Sequence, residues 1–193
     1  MIFFEEIAQT IAARAAQAPA PFLVGIDGRC ASGKTTLAAY LQEKLSAAVL
    51  HIDDFYLPFS LRSEQRMRQV GGHIDIERLR AECLSAACLA KPFSYRAFRP
   101  HTQKWLTPQA IKSNKIYIVE GSYSCLPGIK DVYHFKIFLT LCQQVQTARL
   151  LQREGSEKLQ TFLNRWIVAE EQYFSLCATA QSADKVYDTS AWW

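Results

Sequence analysis

The sequence predicts an α/β fold with a mostly parallel sheet flanked by helices in three layers. Three observations predict it. Short apolar runs alternate with stretches of helical periodicity. A glycine-rich polar segment follows the first of these runs directly, at Asp27 to Ser32. Acidic residues close two later runs, at Asp53-Asp54 and Glu120. Strand ends of a parallel sheet share one rim, and ligands bind there, so the three polar clusters are expected to converge.

The elements follow in order. Ile7, Ile11 and Ala15 recur every four residues, which predicts an amphipathic helix over residues 1–18. Pro19 and Pro21 end it. Phe22-Leu-Val-Gly-Ile26 reads as a buried parallel strand. Lys34 to Leu45 is helical, with Leu37, Leu41 and Leu45 on one face, and Ala47 to Ile52 is a second strand. Pro58 and Gly71-Gly72 break the next stretch. Ile76 to Leu89 reads as a helix, and Pro92 to Pro108 as an irregular aromatic and basic connection. Strands are expected at Lys115 to Glu120 and Tyr133 to Leu141, helices at Cys142–Arg153 and Leu159–Cys177, and a short last strand at Lys185–Tyr187.

Composition narrows the functional classes. The 193 residues fit one domain spanning 1–193. A net charge of +4 without a Lys/Arg run suits an enzyme with anionic ligands better than a nucleic-acid binder. No apolar run reaches the length of a membrane span. Glu5 and Glu6 argue against a secretion signal. The six cysteines form no C-x-x-C pair, so they are expected to be reduced thiols in a cytoplasmic protein, without a zinc site. His134 reads as structural, Trp105 and Trp166 as packing anchors, and Trp192-Trp193 as a docking element.

Gly28-Arg29-Cys30-Ala31-Ser32-Gly33-Lys34-Thr35 matches the phosphate-loop pattern G-x-x-x-x-G-K-[ST] at every fixed position. Between a strand and a helix, such a P-loop turns its backbone N–H groups onto phosphate oxygens at a helix N-terminus. Residues Gly28 to Thr36 are therefore the expected nucleotide contacts. Lys34 places a cation on the β/γ-phosphates, and Thr35 offers a hydroxyl to Mg²⁺. The guanine reader N-K-x-D is absent, since Asn114-Lys115 is followed by Ile116-Tyr117. ATP and Mg²⁺ are the expected cofactors, and a small-molecule kinase fits best. A carboxylate close to the loop, at Asp53-Asp54, suits a base that orients and deprotonates an acceptor hydroxyl.

Gly28–Thr35, Asp53-Asp54-Phe55-Tyr56 and Val119-Glu120-Gly121 together resemble the uridine kinase and phosphoribulokinase group of P-loop kinases, in order and spacing, across about residues 22–155. The resemblance implies a P-loop NTPase fold, Asp53 as catalytic base, and Glu120 beside Mg²⁺ with Thr35 and Asp53. It implies an arginine lid over 149–165, with Arg149 and Arg153 on one helix face acting on the transferring phosphate and Arg165 as a weaker candidate. It places acceptor contacts at Asp54, Tyr56, Phe98, Arg99 and His101. Uridine kinases of this group carry an acid before the His of Gly72-His73-Ile74-Asp75. This chain has Gly72 there, and Asp75 is the stand-in.

The acceptor implied is a small-molecule alcohol, a nucleoside such as uridine first, with no nucleic acid or membrane partner. The group leaves a homo-oligomer open. Two alternatives remain. One is a P-loop kinase for pantothenate, glycerate or a sugar phosphate, with cations drawn from Arg62, Arg66, Arg68, Arg96 and Arg99. The other is a nucleotide-binding regulatory protein without phosphotransfer.

Overall fold

A computed structural model describes residues 2–192. Met1 and Trp193, the ends of the expected domain, lie outside the described residues. In chain order the helix α1 (Ile2–Gln17) leads to β1 (Phe22–Gly28), α2 (Lys34–Leu45) and β2 (Ala48–His51). Short helices α3 (Glu64–Met67), α4 (Ile76–Leu79) and α5 (Ser85–Ala87) follow, the last two joined by a π-helical stretch at Arg80–Leu84. Then come β3 (Phe93–Tyr95), β4 (Phe98–Arg99), β5 (Lys104–Trp105), β6 (Gln109–Ile111), β7 (Ile116–Glu120) and β8 (Phe135–Thr140). The chain ends with α6 (Gln143–Glu154), α7 (Ser156–Thr161), a second π-helical stretch at Phe162–Trp166, α8 (Ile167–Leu176) and β9 (Lys185–Asp188).

The main sheet has five strands in the order β2-β7-β1-β8-β9, all parallel. Its central strand β1 is buried along its whole length, which is why its sequence is a continuous apolar run rather than an alternation. The period-two geometry of a strand still divides its side chains between two cores. Phe22, Val24 and Ile26 face α1 and α2, meeting Ile7, Ile11, Leu37 and Leu41. Leu23 faces the opposite layer, with Phe55, Leu79, Tyr117 and the α8 residues Tyr173 and Phe174. The expected three layers are present. Truncating a fully buried residue such as Leu37 to Ala would cost about 2–5 kcal/mol.

The connection read as irregular forms two small antiparallel hairpin pairings, β3 with β6 and β4 with β5. His134 is structural as expected: its Nδ1 accepts from Leu23 N at 3.0 Å and its ring stacks on Phe22. Trp192 packs against Phe3 and Phe4 of α1, with ring centroids at 5.6 and 5.3 Å. Register brings the loops onto one rim, because Ile26 and His51 both lie opposite Glu120. No helix among the described residues is long and apolar enough to cross a membrane.

Candidate active site

The loop between β1 and α2 is shaped from below. Gly28 has φ 138°, and a Cβ there would lie 2.0 Å from Leu139 O on the neighbouring strand, so glycine alone fits. Asp27, fully buried under the loop, accepts from Gly28 N at 2.7 Å, Cys125 N at 2.8 Å and the Tyr173 hydroxyl at 2.6 Å. Burial still pushes its carboxyl up to about 6, against these hydrogen bonds and the Lys34 charge. Lys34 Nζ donates to Gly28 O and Arg29 O, each at 2.8 Å.

The loop borders a cavity of about 780 Å³. Cys30, Ala31, Gly33, Lys34, Thr35 and Thr36 line it together with Asp53, Tyr56 and Glu120. Gly28, Arg29 and Ser32 of the loop are not among the residues lining it. Thr35 Oγ1 donates to Glu120, 3.2 and 3.3 Å from its two carboxylate oxygens. Glu120 Oε1 also lies 2.5 Å from His51 Nδ1, an ion pair that raises the His51 pKa. Asp53 opens onto the cavity, yet the protein around it and then the Glu120 charge raise its pKa. Two mutually repelling carboxylates and a hydroxyl form a hard-oxygen donor set. Such a set fits Mg²⁺, which takes one or two carboxylates and completes its shell with phosphate and water. Among the described residues no group of three or more His, Cys, Asp and Glu side chains could hold a metal.

Both expected lid arginines reach the cavity wall. Arg149 is tied down, donating to Ala31 O at 3.3 Å and Thr189 O at 2.8 Å. Arg153 donates to Glu154 at 2.8 Å. Asp53, Lys34, Arg149 and Arg153 therefore share one chamber.

Five expected acceptor contacts lie off this cavity. Asp54 is buried and turned away, accepting from Arg99 Nη1 at 2.8 Å and the Tyr95 hydroxyl at 3.0 Å, so Asp54 and Arg99 satisfy each other. Phe98 is buried against Trp105. His101 sits on an exposed turn. Asp75 caps α4, accepting from Arg78 N at 3.0 Å.

Tyr56, an expected acceptor contact, does line the cavity, beside aromatic residues that the sequence reading does not assign to the site. His73 sits at the centre of an aromatic group. Its ring lies 5.6 Å from Tyr56, 4.8 Å from Tyr123 and 6.0 Å from Trp166. Phe162 adds to the same wall. Trp166, read as a packing anchor, thus borders the cavity. Phe162 and Trp166 bound the second π-helical stretch; such local widenings of a helix often mark functional sites.

Comparison with known proteins follows the same lines. No family model matches the chain. A chloroplastic uridine/cytidine kinase of Arabidopsis thaliana is 24% identical over 148 residues, which is 72% of this chain and 30% of that protein. The chain therefore spans about a third of the length of that relative. The structure of a possible uridine kinase from Bacillus stearothermophilus superposes with a TM-score of 0.72 at 21% identity, covering 96% of this chain and 97% of the other. The chain has the uridine kinase-like P-loop kinase fold. A Silicibacter sp. TM1040 protein provisionally named a fructose transport system kinase shares that fold, with a TM-score of 0.69 at 20% identity, covering 95% of this chain and 98% of the other.

Proposed function

We propose that this chain is an ATP- and Mg²⁺-dependent kinase that moves the γ-phosphate to a hydroxyl of a small molecule. One observation carries the reading: Lys34 of the phosphate loop and Asp53 of the next strand end line one cavity, together with Thr35 and Glu120, which are hydrogen-bonded to each other.

The loop amides from Gly28 to Thr36 would hold the phosphates of ATP, and Lys34 would leave its two carbonyls to meet the β/γ-phosphates. Thr35, Asp53 and Glu120 would hold Mg²⁺, which supplies charge neutralisation across the phosphates. Asp53 would accept the proton of the acceptor hydroxyl as its oxygen closes on the γ-phosphorus. Arg149 and Arg153 would stabilise the equatorial charge that develops there. Tyr56, His73, Tyr123 and Trp166 would flank the acceptor, which is then held in register with Asp53.

A nucleoside such as uridine is the first acceptor this reading puts forward, since a base can stack on such a wall. A second reading, a non-nucleoside alcohol, draws on the acids. Asp54 and Asp75 are engaged in structural hydrogen bonds. A Cβ at Gly72 would lie 1.9 Å from Arg66 O. No acid is thus spare for a ribose diol at these positions.

The test is a coupled ADP-release assay with Mg-ATP against nucleosides and small alcohols. Acceptor-dependent turnover should fall roughly 10²-fold or more in Asp53→Asn. Turnover equal in wild type and Asp53→Asn would remove Asp53 as the base. Nucleotide binding with no acceptor-dependent turnover would favour a regulatory nucleotide-binding protein.

A further inference from the structure

Beneath the phosphate loop lies a buried acid that the proposed chemistry does not use. Asp27, Tyr173 and Thr179 are all buried. Asp27 Oδ1 accepts from Gly28 N at 2.7 Å, and Oδ2 accepts from Cys125 N at 2.8 Å and the Tyr173 hydroxyl at 2.6 Å. Thr179 lies beside Tyr173, close enough for its hydroxyl to act on that phenol. Thr179 Oγ1 nonetheless has no hydrogen-bond partner. The chain Asp27–Tyr173–Thr179 thus ends on an unused acceptor. As a carboxylate Asp27 only accepts, and the two amides only donate, but Tyr173 can do either. With a proton on Oδ2, Asp27 donates to Tyr173 Oη, and the Tyr173 hydrogen turns to Thr179 Oγ1. The buried hydroxyl then has a partner, which an ionised Asp27 denies it.

The groups facing Asp27 leave it as the one that can respond. Tyr123 and Cys125 face it from the segment after β7, Tyr133 from the segment before β8, Tyr173 and Cys177 from α8 and its end, and Lys34 from α2. Burial pushes the phenols and thiols up, so none of them ionises near pH 6. Asp27 is itself pushed up to about 6, by burial first, so near pH 7 it is mostly ionised and easily protonated. It stands apart from the Mg²⁺ donor set: Ile26 lies opposite Glu120, and the alternation of the strand turns Asp27 to the other face. Lys34 is the cation that offsets its charge. Bound phosphates would draw Lys34 to themselves and bring negative charge onto the loop above Asp27. Both changes favour the neutral acid.

We propose that Asp27, Tyr173 and Thr179 form a proton-accepting relay: when nucleotide phosphates fill the loop, Asp27 takes up one proton from solvent and the two hydroxyls reorient to receive it. This rests on the nucleotide-binding half of the kinase reading, whatever the acceptor. An O–H bond forms at Asp27 Oδ2, and no other covalent bond of the protein changes. A ligand that raises the pKa of a group binds together with a proton, so nucleotide affinity rises as pH falls from 8 toward 6. Asp27 does not line the cavity. It is a positioning residue, acting on the nucleotide through the loop.

Calorimetry of ADP binding in buffers of low and high ionisation enthalpy counts the protons taken up. Wild type, Asp27→Asn and Thr179→Val are compared from pH 8 to pH 6. Protonation of ADP itself is common to all three proteins, so the differences between them report the relay. Wild type should take up roughly half a proton more per ADP at pH 7 than Asp27→Asn, and its affinity should rise about fivefold more between pH 8 and pH 6. Thr179→Val keeps the carboxylate and removes the last acceptor, so its uptake should fall below that of wild type at a melting temperature no lower. A merely structural role for these residues would leave the proton count alone. Equal uptake in wild type and Asp27→Asn would overturn the proposal. Where Asp27→Asn fails to fold, Thr179→Val decides it, and uptake equal to wild type overturns the relay. ADP binding with relay-dependent uptake but no phosphotransfer to any acceptor would support the relay and overturn the kinase reading. Wild type that binds no ADP would overturn both.

Discussion

Glu170 and Cys30 stand 140 residues apart in the chain, yet a Glu170 carboxylate oxygen accepts from Cys30 N at 3.0 Å. The other oxygen accepts from Ser122 Oγ at 2.5 Å. The next residue, Glu171, pairs with Arg29, and Tyr173 donates to Asp27 beneath the loop. One short helix, α8, therefore holds the phosphate loop at three successive points. The same helix continues from the stretch that carries Phe162 and Trp166. The loop and the aromatic wall are thereby parts of one mechanical unit.

The charge on Glu170 has a consequence for nucleotide binding. A carboxylate on a loop amide occupies a donor that phosphate could use, and repels phosphate besides. Glu170→Gln can keep both hydrogen bonds, its amide oxygen toward Cys30 N and its amide N–H toward Ser122 Oγ. Removing a like charge at this range is worth on the order of 1 kcal/mol, so ADP and ATP should bind several-fold tighter. Titration with a fluorescent ADP analogue measures this. Weaker binding in Glu170→Gln would mean the carboxylate supports the nucleotide site rather than opposing it. Glu170→Ala should instead lower the melting temperature, because Cys30 N and Ser122 Oγ lose their shared acceptor.

Lys34 gives a second test of the loop. Its ammonium caps two loop carbonyls at 2.8 Å each, in addition to the role proposed for it on the phosphates. Lys34→Ala should weaken nucleotide binding by about tenfold or more and also lower the melting temperature, because buried carbonyl groups lose their donor. A variant that loses affinity with an unchanged melting temperature would show that water replaces the lysine fully.

What could be read in the sequence divides by range. The phosphate loop is legible because its function needs a contiguous run, and Gly28 shows why its spacing is strict. Asp53 and Glu120 are legible because parallel strands end on one rim, so a strand-end acid needs no further information to be placed there. The aromatic wall is different. His73, Tyr123 and the Phe162–Trp166 stretch come from three separate segments and meet only through tertiary packing, so no local pattern announces them. Asp54 illustrates the converse. It follows Asp53 directly, but successive side chains diverge, and Arg99 and Tyr95 draw it into the interior. Nothing in the spacing of residues 54 and 99 indicates that pair.

Gly72 offers a test of substrate engineering. Uridine kinases of the resembling group carry an acid at this position, so Gly72→Asp would be the obvious change to favour a nucleoside. The backbone forbids it here: a Cβ would sit 1.9 Å from Arg66 O and 2.9 Å from Arg66 C. Backbone atoms cannot swing aside as a side chain can. The substitution should destabilise the protein by roughly 2 kcal/mol or more, and Gly72→Ala should do nearly the same. Melting temperatures of the two variants decide the matter. A stable Gly72→Asp protein with raised uridine turnover would show that the loop from Arg66 to Gly72 yields readily.

His73 makes a prediction about acid. In the folded protein its pKa is pushed down to about 4 from an ordinary 6.5, by burial first and by Arg62 and Arg165 after it. The unfolded chain therefore takes up a proton on this residue at higher pH than the folded protein does. Stability from keeping His73 neutral is complete above about 6.5 and is lost progressively as pH falls through the interval down to about 4. His73→Phe keeps an aromatic ring beside Tyr123 and removes the titration. Melting temperature measured from pH 7.5 to 4.5 should fall more steeply in wild type than in His73→Phe, with the curves diverging below about pH 6.5. Parallel curves for the two proteins would show that His73 titrates as it does in the unfolded chain, and that the two guanidiniums lie too far from it, or are too well solvated, to matter.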